Sequence, residues 1–252
     1  GELQSRYSFN LYPGSLLGYF FPLTLALTWD YAFHWLWAGL GLFLLARRAG
    51  LDAAGGILLA TFYCLSPFLV YRIAEGIPTL LAALSWAPWC WLALFSTRPG
   101  FLAGVWALQF LSGHPQFMVI NALGMLIWIA ASRERKALFS RFCREGALAL
   151  PLAAVQWAPT YEFLAHSVRG TWLASYTTAY SLTGSNFWTW LSPDALGNPL
   201  SGSYADFPSV FFETCAVHIG ALGLFLAAAG LWGGKGAAAA ILILAGVFLG
   251  LG

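Results

Sequence analysis

Eight apolar segments follow one another along this chain and constrain its fold more than any other feature; they cover residues 24–46, 53–71, 79–95, 100–112, 116–132, 146–164, 214–232 and 237–252. Hydrophobic residues make up 60% of the chain and charged residues 9%, against about 25% charged residues in an ordinary soluble domain. A soluble protein of this composition has too few polar side chains to cover its surface, whereas lipid accepts an apolar exterior. The composition predicts an all-α, polytopic bundle of transmembrane helices.

We interpret residues 1–252 as a single transmembrane domain. Because the chain begins at Gly1 and stops inside an apolar run, we expect it to be an internal piece of a longer protein, truncated at both ends. One long connection, at about 165–212, is expected to be an extracytoplasmic loop. Its aromatic residues predict either amphipathic pieces at the membrane interface, with Trp188 and Trp190 as anchors, or a lid that stacks on sugar rings.

Basic residues are distributed unevenly among the connections. Eight crossings place nine of the twelve Lys and Arg residues on one face: Arg47, Arg48, Arg98, Arg133, Arg135, Lys136, Arg141, Arg144 and Lys235. Arg6, Arg72 and Arg169 fall on the other face. Because cytoplasmic connections of membrane proteins are enriched in Lys and Arg, the first face is expected to be cytoplasmic. The distribution supports eight crossings and predicts a multi-pass membrane protein.

The segment between Arg98 and Arg133 is predicted to be a helical hairpin. Both arginines are expected on the cytoplasmic face, so the chain between them crosses an even number of times and turns at Ser112-Gly113-His114-Pro115. The legs, of about 14 and 17 residues, reach only ~21 and ~25 Å, less than the ~30 Å hydrocarbon core. The turn is therefore expected below the outer surface.

His114 and Gln116 flank the proline of this turn, in the stretch LQFLSGHPQFMVIN. Irregular backbone at membrane depth is tolerated where protein covers it or where it lines a watery cavity. One interpretation is that both side chains line an outward-facing cavity. The alternative is that they only satisfy the carbonyl groups freed around Pro115.

Other ionisable residues are predicted near the outer face. Arg72 and Glu75 share the connection YRIAEGIP, Glu162 and Arg169 flank the exit of the sixth segment, and Glu213 opens the seventh. Charges near hydrocarbon are costly and usually face a cavity or a partner. These residues are candidates for binding a polar substrate. The alternatives are a solvated loop pair for Arg72 and Glu75, and a structural partner of an outer arginine for Glu162.

Two further polar groups have simpler interpretations. Asp30 and His34 lie one helical turn apart and are as suited to tethering the first segment as to binding a ligand. The basic stretch 132–145 is expected to set the topology and to contact lipid phosphates. The sequence contains no nucleotide-binding loop, nucleophile elbow or metal-ligand spacing, so no cofactor is evident and a divalent metal has no support. The net charge of +2 is too small to indicate a nucleic-acid partner.

Five stretches occur in order within about residues 10–230: FHWLWAGLGLFLLARRAGLDAAGGILLATFYCLS, EGIPTLLAALSWAPWCWLAL, LQFLSGHPQFMVINAL, AVQWAPTYEFLAHSVRG and FFETCAVHIGALGLFLAA. Together they resemble the bacterial membrane protein YfhO family, which is similar to the GT-C type of polytopic glycosyltransferase. The resemblance implies a GT-C-like protein of the bacterial plasma membrane. Such a protein takes a sugar from a polyprenyl-phosphate carrier on the outer face and places it on a cell-envelope acceptor.

The resemblance also implies roles for the candidate residues. Arg72, Arg169 and His114 are expected to hold the lipid phosphate. The carboxylates Glu75, Glu162 and Glu213 are expected to orient the sugar or the arginines. In GT-C enzymes the catalytic carboxylate usually follows the first transmembrane helix, which is expected upstream of residue 1, so the catalytic residue here is unknown. The partners implied are a lipid-linked sugar and membrane lipids, and nothing indicates the oligomeric state.

Two other classes of protein fit the same layout. A transporter or flippase would move a lipid-linked sugar through the cavity without chemistry, and a scaffold would use the bundle only to hold partners. Inverted repeats are typical of transporters, and the only internal similarity is the pair WAPW and WAPT. Sugar transfer is the first expectation.

Overall fold

The computed structural model describes residues 12–166 and 183–204, and within these residues the fold is all-helical. After a 3-10 turn at Pro13–Leu16, ten α-helices follow in order: α1 (Leu17–Phe20), α2 (Leu23–Arg48), α3 (Ala53–Cys64), α4 (Pro67–Ala74), α5 (Pro78–Ser85), α6 (Ala87–Leu94), α7 (Phe101–Leu111), α8 (Pro115–Ala131), α9 (Arg135–Leu152) and α10 (Ala154–Ala165). The piece 183–204 contains two 3-10 helices, Gly184–Trp190 and Pro199–Ser201. The all-α prediction is confirmed for the described residues.

Proline divides two of the predicted segments into pairs of helices. The second apolar segment forms α3 and α4, with Pro67 at the start of α4, and the third forms α5 and α6, with Pro88 in the first turn of α6. Proline lacks a backbone N–H and clashes with the preceding turn, so it is well tolerated in the first turn of a helix, whereas in the interior it tends to kink or break the helix. Hydropathy alone does not register this interruption.

The prediction for the sixth segment, 146–164, is wrong in its bounds. The helix α9 already begins at Arg135, runs through the basic stretch and ends at Leu152, and α10 follows after a break at Ala153. Arg, Lys, Leu and Glu are good helix formers although they lower the hydropathy, so the polar part of the stretch is helical as well. The predicted segments 214–232 and 237–252 lie outside the described residues.

The predicted hairpin between Arg98 and Arg133 is confirmed as α7 and α8. Gly113, in the turn between them, has a φ of 96°, a conformation that glycine adopts without a steric penalty. The start of α8 lies beside the start of α5, where His114 contacts Thr79, and its end lies beside the end of α6, where Trp128 meets the ring of Phe95. The helix α7 therefore runs in the opposite direction to α8.

One end of the bundle collects the basic connections. Arg48, at the end of α2, donates to the Phe95 carbonyl over 3.0 Å, and Arg141 of α9 donates to the Leu94 carbonyl over 3.0 Å. These carbonyls belong to the end of α6, where cations interact favourably with the helix dipole. We call this the basic end, and the end that holds the 112–114 turn the opposite end.

Aromatic packing joins α2 to α6 in the core. The rings of Trp37 and Trp89 stack with their centroids 4.1 Å apart, and the indole N–H of Trp89 donates to the Trp37 carbonyl over 3.0 Å. Gly41 permits this approach, since a Cβ atom there would lie 2.5 Å from Nε1 of Trp89. The two tryptophans thus hold α2 against α6.

Polar and apolar side chains are distributed in an unusual way. Buried side chains include Asp30, His34, Arg72, Gln109, Asn121 and Glu145, whereas exposed ones include Leu23, Trp29, Phe33, Leu36, Ile57, Leu58, Val119, Ile120, Leu150 and Leu152. Exposed apolar surface on this scale is uncommon in monomeric soluble proteins and indicates contact with a partner or with lipid.

A helix that crosses a membrane must be both long and apolar. Within the described part of the chain, no helix by itself is both long and apolar enough to cross, and the pair α3 and α4, bent by 41°, meets the requirement when taken together. The helix α2 has 26 residues, but Asp30 and His34 interrupt its apolar run.

Candidate functional site

A buried ion pair lies at the junction of α4 and α5. Arg72 is in the last turn of α4, and its Nη1 donates to both carboxylate oxygens of Glu75, over 2.8 and 2.7 Å. The side chain of Arg72 is 3% exposed and that of Glu75 12% exposed. The guanidinium also lies 5.4 Å from the ring centroid of Phe68. Interpreting this pair as a solvated loop pair is therefore wrong, because Arg72 is a buried helical residue that forms an ion pair with Glu75.

His114 lies next to this pair, immediately before α8. Its Nδ1 is 2.9 Å from the hydroxyl oxygen of Thr79, in the first turn of α5. The partner of His114 is thus a side-chain hydroxyl of another helix, and not a carbonyl group freed around Pro115. Burial, and then the positive charge of Arg72, lower the pKa of His114 below its ordinary value of 6.5, so the imidazole is mainly neutral at pH 7.

We call Arg72, Glu75, Thr79 and His114 the Arg72 cluster. Its members come from α4, the α4–α5 connection, α5 and the α7–α8 turn. Gly76, with a φ of 71°, allows the chain to reverse between Glu75 and the start of α5. Arg72, Glu75 and His114 were predicted near the same face of the protein, and the structure brings these three together.

The chemistry of the Arg72 cluster suits a polar, hydroxyl-bearing ligand. The cluster contains a cation that donates to a carboxylate, and His114 adds a neutral imidazole whose Nε2 makes no hydrogen bond to a described residue. A neutral imidazole nitrogen donates or accepts according to its tautomer, and the Thr79 hydroxyl does both. The cluster can therefore bind hydroxyl groups directly, while the arginine adds a favourable field for a nearby anion.

The other predicted site residues do not join the cluster. Gln116, in the first turn of α8, is exposed and has no described hydrogen bond. Glu162 on α10 is exposed, and its side chain forms no ion pair with any described residue. Arg169 and Glu213 lie outside the described residues. Of the two loop tryptophans, Trp188 is 65% exposed, as expected of an interfacial anchor or a stacking platform.

A second polar group joins the start of the described chain to α2 and α6. Nδ1 of His34 donates to the Asp30 carbonyl over 2.8 Å, and its Nε2 is 2.6 Å from the hydroxyl of Tyr12. The hydroxyl of Tyr12 also accepts from Nε1 of Trp86 over 2.7 Å. Burial raises the pKa of Tyr12, so its hydroxyl stays protonated. This chain of contacts supports the tethering interpretation for His34, to which Asp30 contributes its backbone carbonyl.

A third polar group, inside α7 and its neighbours, was not predicted. Gln109 is fully buried; its amide donates to the Ala83 carbonyl over 3.0 Å, and its oxygen accepts from the Cys90 thiol over 3.3 Å. The available signal was a glutamine within the apolar run FLAGVWALQFL. Such a residue usually faces a partner inside a helical bundle.

No family model, curated protein or solved structure matches this chain. Within the described residues, no group of three or more His, Cys, Asp or Glu side chains is arranged to hold a metal ion.

Proposed function

We propose that this chain is part of an integral membrane protein with its basic end in the cytoplasm. The support is the combination of an apolar exterior with buried ionisable side chains. Lipid-facing bundles place their charged residues inward, against a partner or a cavity. The basic connections gathered at one end agree with the enrichment of Lys and Arg on the cytoplasmic side. The Arg72 cluster then belongs to the outer half of the bundle.

This orientation predicts which positions a reagent outside the cell can reach. In a background without native cysteines, Ser185→Cys is expected to react with an impermeant maleimide in intact cells, and Lys136→Cys only after the cells are opened. The position of Lys136 at the start of α9, beside the basic end, is the reason. Labelling of Lys136→Cys and protection of Ser185→Cys in intact cells would contradict the proposed orientation.

For the activity, we propose transfer of a sugar from a polyprenyl-phosphate carrier to a cell-envelope acceptor, as in GT-C glycosyltransferases. The observation that carries this proposal is the juxtaposition of the buried Arg72–Glu75 pair with a neutral His114 at the opposite end. Protein hydroxyls, imidazoles and carboxylates bind sugar hydroxyls, and an arginine attracts the carrier phosphate. All of these groups are present in the Arg72 cluster.

The reaction itself requires one further group. A carboxylate must take the proton of the acceptor hydroxyl as its oxygen attacks the anomeric carbon, while the bond from that carbon to the phosphate oxygen breaks. Within the cluster, Glu75 already accepts two hydrogen bonds from Arg72. That arrangement suits Glu75 for orienting Arg72 and leaves the role of base to another carboxylate.

The engagement of Glu75 also favours a second candidate function. A transporter or flippase for the lipid-linked sugar needs the binding groups of the Arg72 cluster and no general base. It would bind the same carrier without consuming it.

The test uses the full-length protein in vesicles supplied with a polyprenyl-phosphate sugar labelled in the sugar. His114→Ala is expected to lower transfer at least tenfold, which corresponds to the loss of one or two hydrogen bonds to the ligand. Gln116→Ala, two residues away and exposed, is the matched control and is expected to transfer at the wild-type rate. Movement of the labelled lipid without transfer would favour the flippase, and wild-type transfer by His114→Ala would contradict a role for the cluster.

A further inference from the structure

A cavity of about 480 Å³ opens at the basic end, on the side of the bundle away from the Arg72 cluster. Its walls come from α2, α8 and α9 and from the end of α6, and include Leu45, Arg48, Phe95, Trp128, Leu138 and Arg141. We call it the basic-end cavity. Its volume lies within the range of about 300–1,000 Å³ that is usual for small-molecule sites.

Two arginines are held in place at this cavity. Arg48 donates one N–H to the Phe95 carbonyl and Arg141 donates one to the Leu94 carbonyl, each over 3.0 Å. Because these carbonyls belong to consecutive residues, both guanidinium groups are anchored at the same corner. A guanidinium has five N–H donors, so each arginine keeps donors beyond the described hydrogen bond. The anchoring lowers the entropic cost of ordering these side chains around a ligand.

The other walls are largely apolar. They form an apolar surface next to the two arginines, made of Leu45, Phe95, Trp128 and Leu138. The arginines match a phosphate group, but inorganic phosphate would make no use of the apolar surface. A ligand that satisfies both surfaces carries an anionic head and a hydrocarbon tail. An anionic phospholipid of the cytoplasmic leaflet has this chemistry.

The charged residues around the cavity also favour an anionic ligand. Arg98, Arg133, Arg135, Lys136 and Arg144 lie in the connections and helix at this end, whereas Glu134 is the one acidic residue among the lining residues. The buried carboxylate of Glu145 is turned to the backbone N–H groups of Gly100 and Ala103. The surroundings of the cavity are therefore positively charged, while the carboxylate of Glu134 repels a bound anion.

We propose that the basic-end cavity binds one anionic phospholipid, with its phosphate on Arg48 and Arg141 and an acyl chain along Leu45, Phe95 and Trp128. The proposal rests on the membrane location proposed above and is independent of sugar transfer. The bound lipid would link α2, α6 and α9 through the two arginines.

The test measures lipid retention by native mass spectrometry of the purified protein, supplied with equal amounts of phosphatidylglycerol and phosphatidylcholine. We expect the wild type to retain one phosphatidylglycerol in preference to phosphatidylcholine. The double variant Arg48→Gln, Arg141→Gln is expected to retain it about tenfold less, since two charge-assisted contacts are lost. Arg135→Gln, at an exposed position outside the cavity, is the matched control and is expected to behave as wild type.

Two single variants keep the test decisive if the double variant fails to fold. Ala137→Trp fills the cavity from an exposed position and is expected to reduce retention without removing an arginine. Glu134→Gln removes the opposing carboxylate, which makes no capping hydrogen bond, and is expected to increase retention. Equal retention of the two lipids, displacement by millimolar inorganic phosphate, or unchanged retention in Ala137→Trp would each overturn the proposal. If the wild type retains phosphatidylglycerol but transfers no sugar, that result would count against the proposed activity alone.

Discussion

Replacement of Glu145 by alanine is expected to destabilise the protein by about 3 kcal/mol. The Glu145 side chain is 2% exposed, and its two carboxylate oxygens accept from the backbone N–H groups of Gly100 and Ala103, each over 3.2 Å. These N–H groups open α7 and have no acceptor within that helix. Their loss of a partner inside the bundle, together with loss of a negative charge at a helix N-terminus, is the physical cause.

Two companion variants separate these contributions. Glu145→Gln keeps one acceptor oxygen and is expected to lose less stability than Glu145→Ala. Glu134→Ala, at an exposed site with no capping hydrogen bond, is the matched control and is expected to stay within about 0.5 kcal/mol of wild type. Equilibrium unfolding in detergent measures all three. An alanine variant at position 145 as stable as the Glu134 control would refute the capping role.

The contact of Glu145 with Arg144 is expected to matter little. The Nη2 atom of Arg144 lies 3.3 Å from the Glu145 carboxylate, but the arginine side chain is 59% exposed. An ion pair with one partner in solvent contributes at most about 1 kcal/mol. Glu145 is therefore expected to stabilise the protein mainly through its hydrogen bonds to the backbone N–H groups at the start of α7.

Hydropathy was enough to locate the uninterrupted helices. The segments predicted at 24–46, 100–112 and 116–132 agree with α2, α7 and α8 within two residues at each end. Each of these segments has glycine, proline or basic residues near its ends, and these residue types are common at the ends of helices. The bounds of α9 were missed because its first half is polar, and hydropathy does not measure helix propensity.

The sequence also predicted part of the site. Counting crossings placed Arg72 and His114 on one face, and the structure brings them together. The sequence held no comparable signal for Thr79, because a threonine in an apolar segment is common and its partner is distant by 35 residues. The burial of Arg72 was missed for a related reason: the connection YRIAEGIP resembles a solvated loop, and only the packing of α4 and α5 shows that the guanidinium is enclosed.

Replacement of Glu75 by glutamine is expected to be the most damaging single change in the Arg72 cluster. It removes the negative charge of the carboxylate to which Nη1 of Arg72, a side chain only 3% exposed, donates. Removal of one partner from a buried ion pair costs about 3–5 kcal/mol, because the remaining charge stays in a low-dielectric site. Thermal unfolding in detergent should show a clear fall in melting temperature, and Glu162→Gln, which changes an exposed glutamate, should show none.

The double variant Arg72→Leu, Glu75→Leu then separates stability from function. Replacement of a whole buried ion pair by apolar side chains of similar volume is often neutral for stability, so this variant is expected to unfold near the wild-type temperature. It has nevertheless lost the cation and carboxylate that the proposed function assigns to the lipid-linked sugar. In the full-length protein we therefore expect a stable variant with at least tenfold lower transfer or binding of the carrier. Wild-type transfer by this variant would leave the pair with a structural role only, because a protein that keeps its fold and its rate without both charges does not use them on its substrate.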